Sequence, residues 1–196
     1  MPEHAPFNHL PPFLVALVLA VLGIEAVFQA GARGLIGGPE ALGWRLAAIT
    51  RFGFSDPLFE HMGKTGQIRA EGLWRMLSYA PIHLGALHAV LGAVLTLALG
   101  KAVADRLGAR AVAAILVGAT IMGALAYGFF QDSRVALVGM YPAIYGLVGG
   151  FSWALFTHPT SPQRGRLLAF RLIGVLAGLQ LLFRLLFGGG GNLWIA

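Results

Sequence analysis

The chain is 196 residues long, 57% hydrophobic and only 11% charged, with a mean hydropathy of +0.75, which is far from the balance of a soluble domain. Its net charge of +6 is scattered over several loops, with no compact Lys/Arg run interleaved with aromatics; this argues against nucleic acid as a partner and assigns the charge to the flanks of membrane helices. There is no cysteine, which excludes disulfides, thiolate chemistry and cysteine-ligated metals. Neither a metal nor any other cofactor is expected.

Several apolar runs approach or exceed the ~18–20 residues that cross a bilayer. The expected architecture is all-α: one domain over 1–196, a polytopic bundle of transmembrane helices with membrane lipids around it. Residues 1–11 are polar and proline-rich and lack the basic start of a cleavable signal peptide. They read as a cytoplasmic tail ahead of a signal anchor at Pro12–Ala30. Glu25 lies inside that span; an intramembrane acid is a functional candidate, weighed against a bundle-facing acid paired with an arginine such as Arg33.

Residues 32–81 form the one long non-spanning segment, expected outside the membrane and partly embedded in it. Leu42, Leu46 and Ile49 fall at helical spacing beside Trp44, Arg45 and Arg51, which predicts a short helix lying on the bilayer surface. A second span is expected over Ile82–Ala104, a basic turn at 101–110, and an Ala/Gly-rich third span over Ala111–Phe130. The basic turn at 158–166 precedes a fifth span, Leu167–Phe187, and a four-glycine link leads to Ala196. Basic residues concentrate at 101–110 and 158–171, so both are placed in the cytoplasm, and the N-terminal tail with them.

Between spans three and five lies the stretch the other helices serve, LVGMYPAIYGLVGGFSW, Leu137 to Trp153. Pro142 suits the first position of a helix, where a missing N–H costs no hydrogen bond. Gly146 and Gly150, four apart, present a bare face on which a neighbouring helix can pack closely.

This stretch resembles the fourth transmembrane helix of the rhomboid intramembrane serine proteases, G-x-S-G followed by A-[IV]-[YF]-G-L-[LMV]-G. Gly139, Ala143, Ile144, Tyr145, Gly146, Leu147 and Gly149 stand in register; Tyr141 stands where the serine belongs and Pro142 where a glycine follows it. The second span resembles that family's H-x-x-x-x-H-x-x-x-N helix through His83 and His88, with Gly92 in place of the asparagine. Trp74-Arg75 matches a Trp-Arg pair at the end of the family's first external loop.

The resemblance implies a serine–histidine dyad on the fourth and sixth helices, with oxyanion donors on the second. Here the nucleophile position holds Tyr141, Pro142 has no backbone N–H, and Gly92 has no side-chain donor. His88 and Gly92 fall at the oxyanion positions. Trp74, Arg75, His83, His88, Gly139, Met140, Tyr141, Pro142 and Gly146 are the expected substrate-binding residues, with no catalytic residue assigned. The last residues, GGGGNLWIA, read as the run-in to the sixth helix that the resemblance implies, after five visible spans.

Ser152 and Ser78 are the other serines weighed as nucleophiles; each reads better as a hydroxyl bonded to a carbonyl. A spacing of five sets His83 and His88 about 140° apart on a helix, unlike the zinc-binding i, i+4 pair. The expectation is therefore a rhomboid-like pseudoprotease of the bacterial plasma (inner) membrane that binds transmembrane helices of client proteins. An active protease using a non-standard residue is the alternative. A small-solute transporter built on Glu25, Gln180 and Arg184 is the second.

Overall fold

The computed structural model describes residues 10–67, 69–130 and 135–157, with positions 171 and 174. Among these residues the fold is all-α, with a single isolated β-bridge, and the long helices are those that hydropathy predicts. The tail at 1–9, the link at 131–134, the 158–166 turn, most of the fifth span and the C-terminal glycines lie outside the described residues.

Helix α1 runs Pro12–Ala32, opened by Pro11 and Pro12 and closed before Gly34, whose φ of +71° is left-handed. Helices α5 (Ala86–Leu107) and α6 (Ala109–Phe130) are separated by one residue, Gly108, at φ +85°. A positive φ costs a side chain dearly and glycine little, so the chain reverses there within one residue. All three helices are long and apolar enough to cross a bilayer. Helix α7, Tyr141–Thr157, is as apolar over its 17 residues. The chain is thus a multi-pass membrane protein.

The 32–81 segment is more structured than expected. A 3-10 turn at Gly38–Gly43 leads into α2 (Trp44–Phe52), followed by α3 (Asp56–Thr65) and α4 (Ala70–Ser78). The predicted surface helix is α2 together with that turn; Leu42 and Leu46 are 70% and 69% exposed. The second span begins four residues later than expected, because Pro81 and the fully extended Gly85 hold 80–85 out of the helix. Pro142 takes the second position of α7, still within the turn whose N–H groups have no helical partner.

Bare positions set the packing. A Cβ on Gly100 near the end of α5 would lie 2.6 Å from Leu14 Cδ2 at the start of α1, while Val21 further along α1 clusters with Ala89 near the start of α5. These two helices are antiparallel. Between α6 and α7 the contacts step by four: Gly123 on Pro142, Ala119 on Gly146, Ile115 on Gly150. Leu14, Val103, Val112, Leu116, Ala143 and Leu147 form the core where α1, α5, α6 and α7 meet. Close approach through small residues is how helices associate where apolar burial gives no net drive.

Candidate functional site

The segment entering α7 is held on two sides. Phe54 and Leu137 exchange backbone hydrogen bonds, Leu137 N–H donating to Phe54 O at 2.8 Å and Phe54 N–H to Leu137 O at 3.1 Å. Gly139 N–H donates to the Tyr79 carbonyl at 3.1 Å. Tyr79 is itself fixed, fully buried, with its hydroxyl donating to the Thr120 carbonyl of α6 at 2.8 Å. Gly139 has φ +98°, and a Cβ there would stand 2.8 Å from His88 Cε1. Glycine is required on both counts.

Two residues further on, the Tyr141 ring lies flat against the His88 ring, with centroids 4.7 Å apart and planes 9° from parallel. His83 meets the His88 ring edge-on, with centroids 5.0 Å apart. The 140° separation expected for a continuous helix does not hold, because Gly85 breaks it and folds His83 back over the first turn of α5. His83 is 1% exposed, deeper than the surface position its place at the head of the span suggests. Its Nδ1 lies 3.2 Å from the Pro81 carbonyl, and its Nε2 is buried with no hydrogen-bond partner. Burial pushes the His83 imidazole below its ordinary pKa, against a smaller upward pull from the Pro81 carbonyl and Glu25.

Gly92, one turn along α5 from His88, lets His83 and Met140 close against the helix. A Cβ there would come within 3.2 Å of His83 Nε2 and 3.3 Å of Met140 Cγ. His83, His88, Gly92, Gly139, Met140 and Tyr141 therefore converge at one end of the bundle. Pro142 and Gly146 point elsewhere, seated on Gly123 and Ala119 of α6. Trp74 and Arg75 make their contacts at the turn ending α2: Trp74 edge-on to Phe52 at 5.8 Å, Arg75 donating to Gly53 O at 3.1 Å and to Glu71 at 2.6 Å.

One participant is not evident from the sequence. Arg45 of α2 forks onto Glu25 of α1, with Nη2 to Oε1 at 2.7 Å and Nη1 to Oε2 at 2.8 Å. The same Nη1 donates to the His83 carbonyl at 2.6 Å, and Gln29 donates to Glu25 at 2.8 Å. Glu25 is thus paired, but with Arg45 and not with Arg33. Arg45 ties α1, the loop and His83 together. Only the intramembrane acid itself signalled a partner; twenty residues of separation concealed which one.

The phenol oxygen of Tyr141 stands several ångströms beyond a serine oxygen and would leave an aryl ester. Pro142 offers no N–H to a developing oxyanion, and Gly92 offers nothing. Ser78 donates to the Phe52 carbonyl at 2.8 Å, as a helix hydroxyl is expected to. Ser152 departs from that expectation, with its buried Oγ unpartnered, but it lies three turns below Tyr141. Among the described residues no group of His, Asp and Glu could hold a metal ion.

The sequence pattern of the Rhomboid domain matches residues 70–191. The chain belongs to the rhomboid family. That match spans α4 to α7 and continues past the described residues, so the histidines and the GMYP segment stand within the rhomboid domain. No curated protein and no solved structure matches the chain significantly.

Proposed function

We propose that this rhomboid-family protein is a pseudoprotease that binds transmembrane segments of client proteins without cutting them. The observation that carries this reading is the Tyr141–His88 stack. An aromatic ring fills the nucleophile position and packs on the histidine that the family resemblance assigns to oxyanion binding. The substrate-binding residues are then His83, His88, Gly139, Met140 and Tyr141, with Trp74 and Arg75 shaping the loop beside them. Pro142 and Gly146 seat the helix that presents them.

In this reading the protein sits in a bacterial plasma membrane with its N-terminus in the cytoplasm, and 32–81 is the external, partly embedded loop. The pairing of Glu25 with Arg45 supports a structural role for that acid over a part in a transport path. The test is incubation of the purified protein in liposomes with a rhomboid model substrate and a serine-reactive fluorophosphonate. Client capture by crosslinking with neither cleavage nor labelling is expected; labelling that Ser152→Ala abolishes would overturn the proposal.

A further inference from the structure

An open groove of about 290 Å³ lies between the end of α1 and the face of α2, close to the ~300 Å³ at which ligand sites begin. Phe28 and Ala32 of α1 line one side, and Ala41, Leu42, Leu46 and Ile49 line the other, with Arg45 as the charged side chain among them. The Arg45 guanidinium lies over the Phe28 ring, 5.1 Å from its centroid, so its hydrogen bonds run from the edge. Of the five edge hydrogens, the two on Nη1 go to Glu25 and the His83 carbonyl, and one on Nη2 goes to Glu25. The second Nη2 hydrogen and Nε–H are left over. Nε is not enclosed, unlike Arg75 Nε, and the side chain keeps part of its surface open.

Those two donors call for an acceptor, and charge decides which kind. Glu25 already neutralises Arg45, and exposed Arg33 beside Ala32 and Glu40 beside Ala41 offset each other. An anion gains no net attraction here and would meet the Glu25 carboxylate, so a neutral carbonyl oxygen fits better than a phosphate. The rest of the groove is apolar, and Leu42 and Leu46 are bared along it, as suits a helix lying among acyl chains. We propose that the groove holds one ester-linked acyl chain of a membrane phospholipid, its ester carbonyl accepting from the spare Arg45 N–H groups and its chain lying along Phe28, Leu42 and Leu46. This goes beyond client binding and rests only on the partly embedded placement of 32–81. The same guanidinium carries the His83 carbonyl, so the lipid braces the loop against the site through one side chain.

The test uses the full chain in nanodiscs of equal parts diester and diether phosphatidylcholine with matched chains, the diether lacking the carbonyl. Lipid retained on release is identified by native mass spectrometry, and a diazirine side chain at position 46 reports by crosslinking what lies in the groove. Diester lipid should be retained about tenfold over diether, the low end for one hydrogen bond from a charged donor. Ala32→Trp fills the groove from an exposed position and should abolish the preference. Arg45→Lys keeps the charge and three donors for Glu25 and the His83 carbonyl, with none to spare, and should abolish it too. Equal retention of the two lipids, or a preference that survives Ala32→Trp, overturns the ester site and leaves client binding standing. Retention of phosphatidylglycerol diether over phosphatidylcholine diester assigns the donors to phosphate and overturns it as well. Crosslinks from position 46 to an added transmembrane peptide and none to lipid give the groove to a client and overturn the proposal; no crosslink to either overturns the embedded loop on which it rests.

Discussion

Tyr141 lies parallel to His88 at 4.7 Å, so the first residue of α7 and the first turn of α5 are joined by ring stacking where the family resemblance calls for an open space between a hydroxyl and its oxyanion donors. Offset or parallel aromatic pairs contribute about 0.5–1.5 kcal/mol beyond their buried area. Tyr141→Ser should therefore lower the melting temperature in detergent and confer no proteolysis, because Pro142 still lacks an N–H and Gly92 a side chain. Thermal denaturation and a substrate gel check both halves; cleavage by Tyr141→Ser alone would refute the second.

The Glu25–Arg45 pair carries a prediction about stability. Removing one partner of a buried ion pair costs about 3–5 kcal/mol. The Arg45 side chain keeps 22% of its surface exposed against 6% for Glu25, so the lower end of that range is expected for Arg45→Ala, which strands the buried carboxylate, and less for Glu25→Ala, whose orphaned guanidinium reaches water. The double variant should be more stable than the sum of the two losses allows. Arg45→Ala should also loosen His83, read as a shift of its imidazole resonances. Additive losses would show that the pair is not coupled.

Packing of α6 on α7 is testable at Gly146, where a Cβ would strike that of Ala119. Gly146→Val should destabilise by about 1–3 kcal/mol or more, and Ala119→Gly should recover part of the loss. No recovery in the double variant would contradict the register of Gly123, Ala119 and Ile115 against Pro142, Gly146 and Gly150.

His83 sits in the loop before α5, and its imidazole is held below the ordinary value mainly by burial. The unfolded chain takes up a proton near pH 6.5, the folded one only at lower pH. Between those values the unfolded state binds more protons, so stability falls as pH drops below about 6.5 and is flat above it. The nearby ionisable groups are His88, Glu25, Arg45 and Tyr141, so the comparison that isolates His83 is with His83→Gln. That variant should show a shallower loss between pH 7 and 5 by thermal denaturation; an unchanged slope would mean the charge is taken up elsewhere.

Hydropathy and the glycine pattern made the spans of α1, α5, α6 and α7 legible, because a bilayer demands long apolar helices and close packing demands bare positions. The gathering of His83, His88, Gly92, Gly139 and Tyr141 was not readable from periodicity. Counting His83 and His88 along one helix separates them, and only the extended backbone at Gly85 brings the rings together. Arg45 was hidden for a different reason. Its partners Glu25 and His83 lie twenty and thirty-eight residues away in the chain, and a charge in an amphipathic loop reads as solvated until a fold closes over it. The helices at Asp56–Thr65 and Ala70–Ser78 were obscured by mixed composition, and their faces find order in contacts such as Met62 on Gly72 and Phe59 on Gly128.

The central claim, that Tyr141 and Pro142 disable hydrolysis while the site keeps its capacity to bind, is tested most directly by incubating the reconstituted full chain with a photocrosslinkable rhomboid model substrate and resolving the products by mass. The account predicts a crosslinked complex with intact substrate and no shorter peptide. A cleavage product whose formation stops on changing a single side chain of this protein would contradict it.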